Sequence, residues 1–126
     1  MSASVPDPAS VHDIFTEFYK VGDLEGCVDM YEEDSIFIDP DGVPQHGKTG
    51  VRAVLGAFMS LGGNFTLKTR YAIRTGDFAL SSNEWTLTGT GTDGQTLDLG
   101  GKSAEVLRLH ADGTWRFLVD HPWGGQ

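Results

Sequence analysis

Only one cysteine, Cys27, occurs in the 126 residues of this chain. A single thiol excludes an internal disulfide and any zinc site built on cysteines, so Cys27 reads as a small core residue. Basic residues are also scarce, nine against eighteen acids, for a net charge of −9. Nucleic acids and anionic membranes are gripped by dense positive charge. Neither is therefore an expected partner, and an uncharged or cationic small molecule suits the chain better. No apolar run approaches the ~20 residues that span a bilayer. The opening Met1-Ser2-Ala3-Ser4-Val5-Pro6 has neither a basic region nor an apolar stretch, so a cytoplasmic location is expected. Asn64-Phe65-Thr66 matches a glycosylation acceptor, which without a secretory signal reads as chance. A nucleophile elbow, a P-loop, a His-Glu-x-x-His motif and a cysteine ligand pair are all missing. Metal and phosphoryl-transfer chemistry are not expected, and nothing calls for a cofactor.

What is present is periodic, over a length that fits one domain, residues 1–126. Asp7-Pro8 reads as an N-cap followed by a first-turn proline, with Val11, Ile14, Phe15 and Phe18 at helical spacing and Gly22 as the stop. Asp23 caps a second helix whose Leu24, Cys27, Val28 and Tyr31 form one stripe. After Glu32-Glu33-Asp34 comes a short strand, Ser35 to Asp39, and a turn-rich Pro40-Asp41-Gly42-Val43-Pro44. A third helix carries Val51, Val54, Leu55 and Phe58 on one face and ends at Gly62-Gly63. From Asn64 the period becomes two, with Phe65, Leu67, Thr69, Tyr71 and Ile73 on one face. Further strands are expected from Phe78 to Thr88, Leu97 to Leu109 and Thr114 to Asp120. The class is α+β. Gly89-Thr90-Gly91-Thr92-Asp93-Gly94 spells G-x-G-x-x-G, but an alternating segment follows rather than a helix, so it reads as a hairpin loop.

Two carboxylates fall on apolar parities. Asp39 shares a strand face with Phe37, and Glu105 shares one with Leu107 and Leu109. An acid beside apolar neighbours is either a structural hydrogen bond or a working group. Desolvation favours protonated Glu105, which could donate to a developing oxyanion, while a more open Asp39 could act as a base. Asp120 and His121 are adjacent, so a regular strand points one of them inward, and His121 could shuttle a proton near neutral pH. His12 and His46 read as structural or solvent-facing. Phe15, Phe18, Tyr19, Phe58, Trp85, Trp115 and Trp123 offer more aromatic surface than helix contacts require. Where sheet and helices leave a cavity, such rings line it and favour a flat apolar ligand.

The run Gly22-Asp23-Leu24-Glu25, Met30-Tyr31-Glu32-Glu33-Asp34, Ile38-Asp39-Pro40-Asp41-Gly42 and His46-Gly47 resembles the steroid delta-isomerases. More broadly, the chain resembles the nuclear-transport-factor-2-like superfamily with its SnoaL-like polyketide cyclases. The closing Trp115-Arg116-Phe117-Leu118-Val119-Asp120-His121-Pro122-Trp123 is similar to small members of that superfamily. The resemblance implies a cone-shaped, cystatin-like fold with three N-terminal helices packed in a strongly curved, mostly antiparallel sheet. It also implies a homodimer through the outer sheet face and a pocket for a hydrophobic ligand. Asp39 then matches the isomerases' general base, Glu105 their protonated acid, and Phe15 their oxyanion-hole tyrosine. Phenylalanine cannot donate, so Tyr19, His121 or another group would have to substitute. The expected function is cofactor-independent proton transfer on an apolar carbonyl compound, of isomerase, cyclase or lyase type. Asp39, Glu105 and His121 are its catalytic candidates, and Phe15, Phe18, Tyr19, Phe37, Phe58, Trp85, Asp120 and Trp123 line the ligand. The rival is a non-catalytic binding or interaction module of the same fold.

Overall fold

The computed structural model describes residues 7–126. Helices α1 (Ser10–Lys20) and α2 (Leu24–Val28) are followed by strands β1 (Tyr31–Ile38) and β2 (Pro44–His46) and by helix α3 (Gly47–Ser60). Strands β3 (Asn64–Thr75), β4 (Phe78–Thr90), β5 (Thr96–Lys102), β6 (Ala104–Leu109) and β7 (Trp115–His121) complete the chain. The class is α+β, with a sheet of order β2-β1-β7-β6-β4-β3 and β5 paired to β4. Among the described residues β1 and β7 pair in parallel, and the other strand pairs are antiparallel. The three helices are not consecutive at the N-terminus, since β1 and β2 intervene before α3.

Local signals explain most element ends. Asp23 caps α2 by accepting the Gly26 N–H at 2.9 Å, whereas the Asp7 carboxylate accepts the Ala9 N–H at 2.9 Å in a turn just ahead of α1, whose N-cap position is Ala9 and carries no side-chain cap. Helix α2 stops at Val28, and Tyr31 opens β1 instead of completing a helical stripe. Acidic Glu32-Glu33-Asp34 thereby falls inside the strand. Glu32 is held there by Arg108 at 2.8 Å and by His110 at 2.6 Å. The glycine-rich Gly91–Gly94 segment is a tight β4–β5 turn, closed by the Gly94 N–H on the Gly91 carbonyl at 2.9 Å.

Three irregularities correct the expected strands. The expected strand Leu97–Leu109 breaks at Ser103 into β5 and β6, which pair with opposite ends of long β4. A register shift between Thr69 and Tyr71 makes β3 change faces. Phe65, Leu67 and Thr69 are half-buried, whereas Tyr71 and Ile73 are exposed on the outer face. A second shift, between Val106 and Leu107, sets two-residue spacing on β6 against an extra residue, Leu118, on β7. Glu105 therefore lies opposite Asp120, with both on the inner face.

Candidate functional site

Helices α1 and α3 and the inner sheet face enclose a cavity of about 60 Å³. Its walls include Phe15, Leu55, Phe65, Leu67, Leu87 and Phe117, and its polar lining is His12, Asn83, Ser103, Glu105 and Asp120. Of the expected site residues, Phe15, Tyr19, Phe37, Phe58, Trp85, Glu105 and Asp120 all border it. Four others lie elsewhere. Phe18 packs at the core edge, where a Cβ on Gly26 would come within 2.6 Å of its ring. Trp123 meets Trp85 edge to face, with ring centroids 5.4 Å apart, and donates Nε1–H to the Gly100 carbonyl at 3.1 Å. His121 is not among the lining residues, because the β7 bulge gives the inward place to Asp120.

Asp39 is the fourth. Its Oδ1 accepts the N–H groups of Asp41 at 2.9 Å and Val43 at 2.8 Å, and its Oδ2 accepts Gln45 Nε2–H at 3.1 Å. The Val43 amide leads these donors in holding its carboxyl below the usual range. Asp39 thus organises the β1–β2 turn and borders a separate outer groove, of which Phe58 is the wall shared with the cavity.

At the polar end, hydrogen positions follow from counting donors. Ser81 Oγ has one proton, given to Glu105 Oε1 at 2.7 Å, so His12 Nε2–H donates to Ser81 Oγ at 3.1 Å. The Asn83 amide then spends one N–H on His12 Nδ1 at 3.2 Å and the other on Glu105 Oε1 at 3.1 Å, while its Oδ1 accepts from Thr69 at 2.9 Å. Oε1 of Glu105 is fully used. Across the ladder, Tyr31 O–H donates to Asp120 Oδ2 at 2.6 Å. The arginines are engaged elsewhere: Arg52 with Glu25, Arg108 with Glu32, and Arg70 with Ser82. Among the described residues no cation pairs with Glu105 or Asp120.

Desolvation raises the Glu105 carboxyl above its ordinary range, against donors on Ser103, Ser81 and Asn83 that favour the ion. It pushes Asp120 up to about 8, with the charge of Glu105 adding and the Tyr31 bond opposing. Burial lowers His12 to about 4, so the imidazole is neutral. These shifts set the sign of a stability effect. From about pH 4 to 6.5 the unfolded chain takes up a proton at His12 and releases one at Asp120, so the two contributions oppose each other. From 6.5 to 8 the native state alone keeps the Asp120 proton, and stability falls as pH rises. One proton over that window is worth on the order of 2 kcal/mol. Urea unfolding of wild type is expected to show this decline and Asp120→Asn to flatten it; equal slopes would contradict the raised acid.

Sequence reasoning read His12 as structural or solvent-facing without placing it at the cavity, and it missed Asn83 and the Tyr31 partner. Two of them carried a signal. His12 lies three residues before Phe15 and seven before Tyr19, on the helical stripe that faces the cavity. Asn83 shares two-residue spacing with Trp85 and Leu87.

Residues 11–118 match the SnoaL-like domain model, and the chain belongs to that family. Among solved structures it is similar to a ketosteroid isomerase-like protein from Erwinia carotovora atroseptica, at 16% identity and a TM-score of 0.79, covering 90% of this chain and 89% of that one. A nuclear transport factor 2-like superfamily protein from Salmonella enterica is similar at 20% identity and a TM-score of 0.74, covering 89% and 84%. A protein named for likeness to the SnoaL polyketide cyclases, from Shewanella denitrificans, is similar at 16% and 0.69, covering 93% and 90%. At these identities the likeness is one of fold. No curated protein matches the chain.

Proposed function

We propose that this protein binds a small apolar carbonyl compound and moves a proton on it, with Glu105 and Asp120 as an acid–base pair. The observation that carries this is two carboxyls directly across one ladder, both bordering a cavity whose remaining walls are mostly apolar and aromatic. Like charges so close, in so dry a site, do not both ionise. Glu105 has two donors on Oε1 and the weaker hold on a proton; Asp120 has one donor and the stronger hold. Glu105 therefore takes a proton from the carbon beside the carbonyl. Asp120 donates its O–H to the oxygen where the charge develops, and the proton on Glu105 returns to carbon. The step is an isomerisation or the enolisation that precedes ring closure.

The cavity is smaller than the ~150 Å³ that holds benzene, so ring-sized ligands displace the half-buried side chains Phe58 and Phe65. The test is deuterium exchange beside the carbonyl of cyclohexanone, followed by NMR. Glu105→Gln is expected to slow it at least ~100-fold and Asp39→Asn to leave it unchanged. Unchanged exchange in Glu105→Gln, with the ligand still bound, would instead support the non-catalytic module.

A homodimer through the outer sheet face belongs to the same reading. Ile73 and Leu80 stand directly opposite each other there, 57% and 46% exposed, beside exposed Tyr71 and Phe78. Apolar patches of this kind mark contact surfaces. Sedimentation equilibrium is expected to give a dimer for wild type and a monomer for Leu80→Lys; a monomeric wild type would remove the proposal.

A further inference from the structure

Tyr19 borders the cavity, yet its hydroxyl is buried and meets no hydrogen-bond partner among the described residues. Burial pushes the phenol up to about 12, so it keeps its proton at physiological pH and remains a donor. Buried polar groups are rarely left unpaired, because each one carries a desolvation penalty. Phenylalanine would fill the same place without it, packing on Phe65 at 4.3 Å between ring centroids and on Phe15 at 6.2 Å. The Phe15 ring in turn lies 6.4 Å from that of Tyr31, whose hydroxyl holds Asp120. Tyr19 thus brings a second polar group to the cavity wall, apart from the cluster of His12, Asn83, Ser103, Glu105 and Asp120, and the Phe15 ring packs against both Tyr19 and Tyr31.

We propose that the Tyr19 hydroxyl recognises the ligand by donating a hydrogen bond to a second ligand oxygen. The substrate class is then a small ring compound with two separate acceptor oxygens, one at Glu105 and Asp120 and one at Tyr19. This rests on the pocket reading above and adds to it a specificity that a single-oxygen ring cannot satisfy.

The probes are 1,4-cyclohexanedione and cyclohexanone, which differ by one acceptor oxygen. Their Kd values are measured by titration calorimetry with wild type and Tyr19→Phe, and Tm is measured without ligand. Tyr19→Phe is expected to weaken the dione about five- to tenfold, to leave cyclohexanone unchanged, and to keep or raise Tm by a few degrees. An equal loss for both probes would reduce Tyr19 to packing, and no loss for either would leave its hydroxyl without a ligand role. A fall in Tm would show that the hydroxyl has a structural partner. Each of these outcomes overturns the proposal and leaves the proton-transfer reading intact. Failure of wild type to bind either probe overturns both.

Discussion

Gly63→Ala is expected to cost about 3 kcal/mol of stability or more, enough to unfold much of a domain this size. Gly63 has φ +80°, where an L side chain is strained by roughly 1–2 kcal/mol. The larger problem is space. An added Cβ would lie 1.6 Å from the Thr88 carbonyl oxygen, 2.6 Å from its carbon and 2.8 Å from Gly89 Cα. All three are backbone atoms, so no rotamer can relieve the overlap. Nor can β4 retreat cheaply, because the Thr90 N–H donates to the Leu61 carbonyl at 2.8 Å and ties the end of β4 to the end of α3. Gly62→Ala is the control. Gly62 has φ +64° and nothing within 4 Å of an added Cβ, so only the backbone strain of about 1 kcal/mol applies. Urea unfolding of both variants separates the effects; equal losses would mean that β4 does not approach so closely.

Glu105→Gln is expected to slow proton transfer at least ~100-fold while the fold persists. Glutamine preserves the volume, and its Oε1 can still accept from Ser81 and Asn83, so the buried network keeps its partners. What it loses is basicity. A positioned general base contributes about 10²- to 10⁴-fold, or roughly 3 to 5 kcal/mol of barrier. The pH profile carries a second signature. The proposed mechanism calls for Glu105 ionised and Asp120 protonated, so the rate is expected to rise through an acidic limb above the ordinary carboxylate range and to fall above about pH 8. A profile that stays flat through pH 9 would remove Asp120 from its role. A fall in Asp39→Asn comparable to that in Glu105→Gln would return the base to the β1–β2 turn.

How much of this was legible beforehand differs from residue to residue. Glu105 was readable because β6 keeps a two-residue period through Leu107, so its inward place followed from neighbours alone. Asp39 was misleading for the same reason. Its parity with Phe37 suggested an inward carboxylate, but the period ends at Ile38, and the turn's amide groups then capture the acid. Sequence spacing cannot show where pairing stops, since that depends on the partner strand.

Legible in the sequence were the family, the helices with the cap at Asp23, the glycine turns and the inward face of β6. Each of these depends on contacts a few residues apart. Tertiary structure alone decided that Asp120 rather than His121 enters the cavity, that Tyr71 and Ile73 face outward, and that His12 and Asn83 join Glu105. The physical reason is that a side chain's face in a sheet reverses with every residue. One extra residue at Leu118, or one shift after Thr69, therefore re-aims everything beyond it, and those shifts are set by strands distant in the chain.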